Sequence, residues 1–224
     1  MDVLIFRPGA IGDTLLLLPS LVYLAGKAHF TVVCRKPGLN FIRGFVNQTM
    51  DFEGPGWYRL FLKTPSNEGL PVRTADLVVA FLHDEDGLIR RNLEGHFPYS
   101  PIHFFSSTPP AGEALHVVRY LSECLKAAGL PIDPKIALDN ALKHPTLTPE
   151  PPSGSRSMLV IHPGSGSLTK NHPPEFWLRL LDILVQASEF RNLIPAVLLG
   201  PAERPLEAFF KKNLGLIKGE LYSC

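Results

Sequence analysis

The sequence predicts an α/β protein of two units, each built on a parallel β-sheet, with the second unit incomplete. Three observations predict it. An apolar strand, a glycine-bearing turn, an apolar helix and a second strand follow one another through residues 2–34. The same strand–turn–helix order restarts at Met158. Between the two, residues 131–157 are rich in Pro, Ser and Thr with little periodicity, the composition of an interdomain linker. The expected domains are therefore residues 1–130 and 158–224, joined by 131–157.

"DVLIF" (Asp2–Phe6) reads as a buried strand, being short and apolar. The turn "RPGAIG" leads into a helix expected from about Asp13 to Gly26, apolar around most of its surface and kinked or broken at Pro19. "HFTVVC" (His29–Cys34) is the next strand, and a strand–helix–strand unit of about 30 residues makes the two strands parallel. "PGLNFIRGF" reads as a short helix. "TADLVVAFLHDEDGLIRRNL" reads as a strand ending near Phe81, a polar turn and a helix, and "SPIHFF" as a late strand. Residues 111–130 read as an amphipathic helix, with Leu115, Val118, Leu121 and Leu125 at helical spacing and Gly129 and Pro131 ending it.

Past the linker, Met158–His162 is expected as a strand, followed by a small-residue loop and a helix opening at Pro173 and Pro174, since proline suits the first helical position. "PAVLLGPAERPLEAFFKKNL" repeats strand, loop and helix. Residues 158–224 leave room for two or three strands, about half of what a complete nucleotide-binding α/β domain uses. The expectation is either a truncated domain or one that another chain completes by self-association.

Composition narrows the function classes. With 45% hydrophobic residues and a mean hydropathy of +0.10, the 224-residue chain can bury a sizeable core. Its 22 basic and 21 acidic residues give a net charge of +1, so no electrostatic case exists for nucleic acid. Cys34, Cys124 and Cys224 are too few and too scattered for a disulfide framework or a zinc site, and the expected compartment is the cytoplasm. "LLLLPSLVYLAG" has the look of a secretory core, but Asp2 and Asp13 flank the single basic Arg7, so the positive leader region is missing. The run is also too short to span a bilayer.

In open α/β sheets ligands bind beyond the carboxyl ends of the strands, and two unusual loops lie there. Neither "RPGAIGD" nor "HPGSGSLTK" matches GxGxxG or GxxxxGK[ST], which argues against a nicotinamide-dependent oxidoreductase and a P-loop enzyme. In the second loop, Gly164, Ser165, Gly166, Ser167 and Thr169 are small or hydroxylated, and Lys170 precedes the helix. Such residues allow close backbone approach to a phosphate, and Lys170 adds a point charge for a diphosphate. The competing reading is a turn with a solvated lysine. His162 reads as structural rather than catalytic.

Asp13 has two readings that local sequence leaves open: a helix cap satisfying free N–H groups, or a general base at the end of a strand. Asp84 and Asp86 in "HDED" have the form of a metal-binding pair, but three acidic residues where a helix begins complement its dipole, and the cap reading is favoured. Arg90 and Arg91 read as a solvated face or as contacts to an anionic acceptor.

On these residues the sequence resembles the heptosyltransferase family, glycosyltransferase family 9. The matching stretches are "VLIFRPGAIGDTLLLLPSL", "HVVRYLSECLKAAGL", "LVIHPGSGSLTKNHPPEFWLRLL" and "VLLGPAER", in order and across nearly the whole chain. The resemblance implies the GT-B fold, two Rossmann-like domains facing across a cleft. It also implies inverting transfer of heptose from ADP-heptose to the lipopolysaccharide inner core, without a cofactor or an essential metal. Asp13 would be the general base. Ser165, Gly166, Thr169 and Lys170 would hold the donor diphosphate and Glu203 the nucleoside ribose. Apart from the resemblance, Gly12, Arg90 and Arg91 are the candidate acceptor-side residues. The partners implied are a nucleotide-sugar donor and a glycolipid acceptor, with peripheral association at the inner membrane face. One departure stands out: the family's "D-[ST]-G-x-x-H" segment, which completes the donor pocket, is absent. It leaves as the alternative a truncated, non-catalytic remnant or binding protein of the same fold.

Overall fold

The computed structural model describes residues 1–64, 68–110, 112, 114–147, 157–165 and 168–223. The chain divides into two compact units, Met1–Thr148 and Pro149–Cys224.

The first unit opens with β1 (Asp2–Phe6), in which every residue after Asp2 is buried. The helix expected over residues 13–26 is two short helices, α1 (Ile11–Leu15) and α2 (Leu18–Tyr23), with Pro19 in the first turn of the second. Proline lacks an N–H and crowds the carbonyl four residues back, here that of Leu15, so α1 ends there and α2 starts afresh at Leu18. β2 (His29–Cys34) follows, then α3 (Gly38–Ile42) with a 3-10 turn over Arg43–Phe45. β3 (Gln48–Asp51), a 3-10 turn over Trp57–Phe61, β4 (Leu77–Ala80), α4 (Leu88–His96) and β5 (Ile102–Phe104) come next. The five strands are parallel in the order β3-β2-β1-β4-β5, which puts β1 inside the sheet, paired on both edges.

Side chains alternate across a strand, and each face of this sheet is covered. Val3 and Ile5 join a core with Leu17, Leu21 and Leu24. Leu4 and Phe6 join a second core with Trp57, Leu60, Ile89 and Leu93. Covering both faces is what lets β1 be apolar throughout. The ring of Trp57 meets Phe6 edge to face at 5.1 Å.

The helix expected over residues 111–130 is shorter: α5 runs Val117–Ala127, opened by His116, whose Nδ1 accepts from the Val118 amide. It closes at Gly129, in the left-handed region at φ +94°. Residues 131–157 do not form an irregular linker throughout. α6 (Pro134–Lys143) lies inside them and belongs to the first unit, with Ala137 buried in the same core as Leu121 and Leu125. Its cause is local: Asp133 Oδ1 accepts from the amides of Lys135 and Ile136, and Pro134 occupies the first turn.

The second unit holds β6 (Met158–Ile161), a 3-10 turn over Leu168–Lys170, α7 (Pro174–Gln186), β7 (Ile194–Leu199), a 3-10 turn over Pro201–Leu206, α8 (Glu207–Asn213) and β8 (Glu220–Ser223). Its three strands are parallel in the order β6-β7-β8. Val197 and Leu199 pack on Leu181, Phe210 and Leu214, with Leu159 and Ile161 against them. Among the described residues, no helix is long and apolar enough to cross a membrane.

Candidate functional site

The candidate residues gather at the carboxyl ends of strands in each unit. In the first unit, β1 delivers four buried apolar residues and then Arg7, itself 1% exposed. Gly12 and Asp13 lie in α1, directly after the turn. Asp13 Oδ2 accepts from the Ala10 amide at 2.9 Å, so the cap reading is realised. Asp13 Oδ1 lies 3.5 Å from Arg7 Nη2, and the Asp13 side chain stays 42% exposed. A capped carboxylate with this exposure remains accessible to a hydroxyl, so capping and base chemistry are compatible in one side chain. Gly9 is required here, because a β-carbon on it would stand 2.5 Å from Asp13 Cβ.

Arg7 is the site residue that sequence reading missed. Its Nε donates to the Asp13 carbonyl at 3.3 Å and its Nη1 to the Ser107 carbonyl at 2.9 Å, and its guanidinium lies 5.6 Å from the Phe81 ring centre. Burial pulls the guanidinium's pKa down, and the charge of Asp13 opposes that pull. The signal was available: a basic residue placed directly after an unbroken apolar strand. Beside it, Tyr120 donates to the Ser106 carbonyl at 3.1 Å, and burial pushes its phenol up to about 12.

A cavity of about 310 Å³ opens at the ends of β4 and β5, lined among others by His83, Asp84, Arg90, Phe104 and Ser107. Arg90 lies with its guanidinium 4.6 Å from the Phe104 ring centre. The structure separates the arginine pair. Arg91 is not among the cavity's lining residues, and its Nη2 donates to the Lys63 carbonyl at 3.1 Å. Within "HDED", Asp84 and Asp86 serve the start of α4, whereas Glu85 pairs with His83 at 2.9 Å. Asp84 accepts from the amides of Ile89 and Arg90 at 2.9 and 2.8 Å, and Asp86 from that of Leu88 at 3.3 Å.

In the second unit, Gly164 and Ser165 follow β6, Thr169 and Lys170 lie in the short turn before α7, and Glu203 sits in the turn after β7. Gly166 lies outside the described residues. Glu203 is 7% exposed, and its Oε2 accepts from the Gly200 amide at 2.9 Å. His162 Nδ1 donates to the Leu198 carbonyl at 2.8 Å, joining the ends of β6 and β7. Gly164 and Glu203 are thereby brought together across neighbouring strand ends, while Thr169 and Lys170 are exposed.

The class of fold follows from these two units: α/β, with Rossmann-like parallel sheets of the GT-B kind, as glycosyltransferases have. The particular likenesses are three solved structures. The E. coli heptosyltransferase WaaC with ADP matches at TM-score 0.61 and 15% identity, over 99% of this chain and 74% of that one. A glycosyl transferase family 9 protein from Veillonella parvula DSM 2008 matches at 0.59 and 14%, over 100% and 70%. WaaC with ADP-2-deoxy-2-fluoro heptose matches at 0.58 and 16%, over 99% and 76%. The resemblance to heptosyltransferases seen in the sequence therefore extends to the fold. No protein-family model matches the chain, and neither does any curated protein.

Proposed function

We propose that the chain is an inverting, metal-independent glycosyltransferase that moves a heptose or related sugar from an ADP-heptose-type donor to a lipopolysaccharide inner-core acceptor. The observation that carries the reading is the carboxylate of Asp13, fixed at both oxygens yet 42% exposed at the end of the first strand. Asp13 takes the proton of an acceptor hydroxyl as that oxygen attacks the anomeric carbon. The bond from that carbon to the diphosphate breaks on the opposite face, and ADP departs. Gly12, Arg90 and Arg91 serve the acceptor side. Arg90 at the β4–β5 cavity suits an anionic glycolipid headgroup.

The donor belongs to the second unit. Lys170, with Ser165, Gly166 and Thr169, meets the diphosphate, and positive charge there stabilises the departing anion without a metal ion. Glu203 accepts from a ribose hydroxyl. The protein is cytoplasmic and meets its glycolipid peripherally at the inner membrane face.

The experiment has two arms. Millimolar ADP or ADP-heptose raises the melting temperature of the wild-type chain, and Lys170→Ala removes the rise. With donor and acceptor together, Asp13→Asn, which keeps an acceptor for the Ala10 amide, lowers transfer by roughly 10²–10⁴-fold at an unchanged melting temperature. Near-full transfer by Asp13→Asn overturns the base assignment. Binding without transfer by the wild-type chain identifies it instead as a non-catalytic binding protein of this fold. Absence of any thermal response to either ligand overturns the donor site.

A further inference from the structure

We propose that Arg7 is a positioning residue that holds the Asp13 carboxylate in place for proton abstraction; the proposal rests on reading Asp13 as the general base. Burying Arg7 is costly. β1 feeds Val3–Phe6 into the interior, and the next residue carries a guanidinium that is 1% exposed. Removing a charge from water is expensive, and apolar replacements of buried ion pairs are often as stable or more so. Stability alone therefore gives no reason for an arginine at this position.

Its geometry gives one. Nε and Nη2, adjacent on one edge of the planar fork, face two different oxygens of a single residue: the Asp13 carbonyl at 3.3 Å and Asp13 Oδ1 at 3.5 Å. Nη1 on the far side donates to the Ser107 carbonyl at 2.9 Å, in the loop after β5. Phe81 flanks the plane. A rigid fork gripping the backbone and the carboxylate of one residue, and anchored behind, fixes both the turn of α1 and the carboxylate it carries. The Ala10 amide holds the other oxygen, Oδ2. The carboxylate is thus steadied from two directions and still open to solvent.

The test measures sugar transfer from ADP-heptose to an inner-core acceptor for Arg7→Met, Arg7→Lys and Asp13→Asn, with melting temperatures alongside. Arg7→Met lowers kcat by about tenfold or more while donor KM stays within about twofold, because the base is misplaced and donor binding is untouched. Arg7→Lys keeps the charge without the two-point grip and falls about three- to fivefold below wild type. Added to Asp13→Asn, Arg7→Met causes no further loss, whereas a purely structural role would lower activity in both backgrounds. If Asp13→Asn abolishes transfer while Arg7→Met keeps kcat within about twofold of wild type, the base stands and the positioning role is overturned. Transfer retained by Asp13→Asn overturns both. Should Arg7→Met fail to fold, Arg7→Lys carries the test, and an unchanged kcat for it overturns the proposal.

Discussion

Glu203 is wedged against Gly164: a β-carbon on Gly164 would stand 1.9 Å from Glu203 Oε1 and 2.1 Å from its carboxyl carbon. The same carboxylate accepts from the Gly200 amide, and a β-carbon on Gly200 would stand 2.8 Å from Oε2. One buried side chain thus ties the loop after β6 to the turn after β7. Gly164→Ala must push Glu203 out and strand the Gly200 amide. The expected cost is about 1–3 kcal/mol, read as a lowered melting temperature. In a Glu203→Ala background the obstacle is gone and Gly164→Ala becomes nearly neutral. An equal cost in both backgrounds would show that Glu203 is not what the glycine accommodates.

Asp84 carries a second prediction. Its two oxygens accept from the amides of Ile89 and Arg90, so its charge is engaged in starting α4. Asp84→Ala removes both bonds and is expected to cost about 1 kcal/mol, measured by urea unfolding. Magnesium leaves the wild-type melting temperature unchanged, since the carboxylate is committed to backbone donors. A rise with millimolar magnesium that Asp84→Ala removes would make it a metal ligand.

What the sequence disclosed follows from how local each cause is. β1, β2, β4 and β7 are apolar runs, and such runs declare themselves without tertiary context. Pro19 marked the break between α1 and α2 because its effect is steric and confined to one turn. β3 escaped notice because "QTMD" has no apolar alternation, and it is a strand through its pairing with β2 along one sheet edge. α6 was hidden by the prolines around it, although Asp133 and Pro134 are a legible helix start. At the candidate site, the residue types of Asp13 and Lys170 could be read, but Arg7 could not be joined to Asp13. That link depends on where a buried side chain turns at the end of a strand.

The hydroxyls of Ser20 and Ser122 lie 2.8 Å apart, both fully buried, between α2 and α5. Ser122 Oγ donates to the Val118 carbonyl, so the proton between the two serines belongs to Ser20. Ser122→Ala leaves a buried donor without its acceptor and is expected to cost about 1–3 kcal/mol, while Ser20→Ala removes the donor itself and costs less. The double replacement by alanine is expected to be closer to wild type than Ser122→Ala. Thermal unfolding of the three variants checks the order, and a double variant that simply sums the single costs would refute the coupling.

Cys34 sets an alkaline limit. Its thiol is fully buried in the core beside Ile5 and Val32. Burial first, and then the charge of Asp51, push it up to about 11. An unfolded chain loses that proton from about pH 8.5 upward. Between that pH and about 11 the folded state therefore binds more protons than the unfolded one, and stability falls as pH rises. The contribution is fully present below the unfolded value and is lost as pH climbs through the folded one. Cys34→Val keeps the shape and removes the titration. The difference in unfolding free energy between wild type and Cys34→Val, followed from pH 7 to pH 11, should shift against the wild type by about 2–3 kcal/mol. A difference that stays flat across that range would mean the thiol does not resist ionisation in the folded protein.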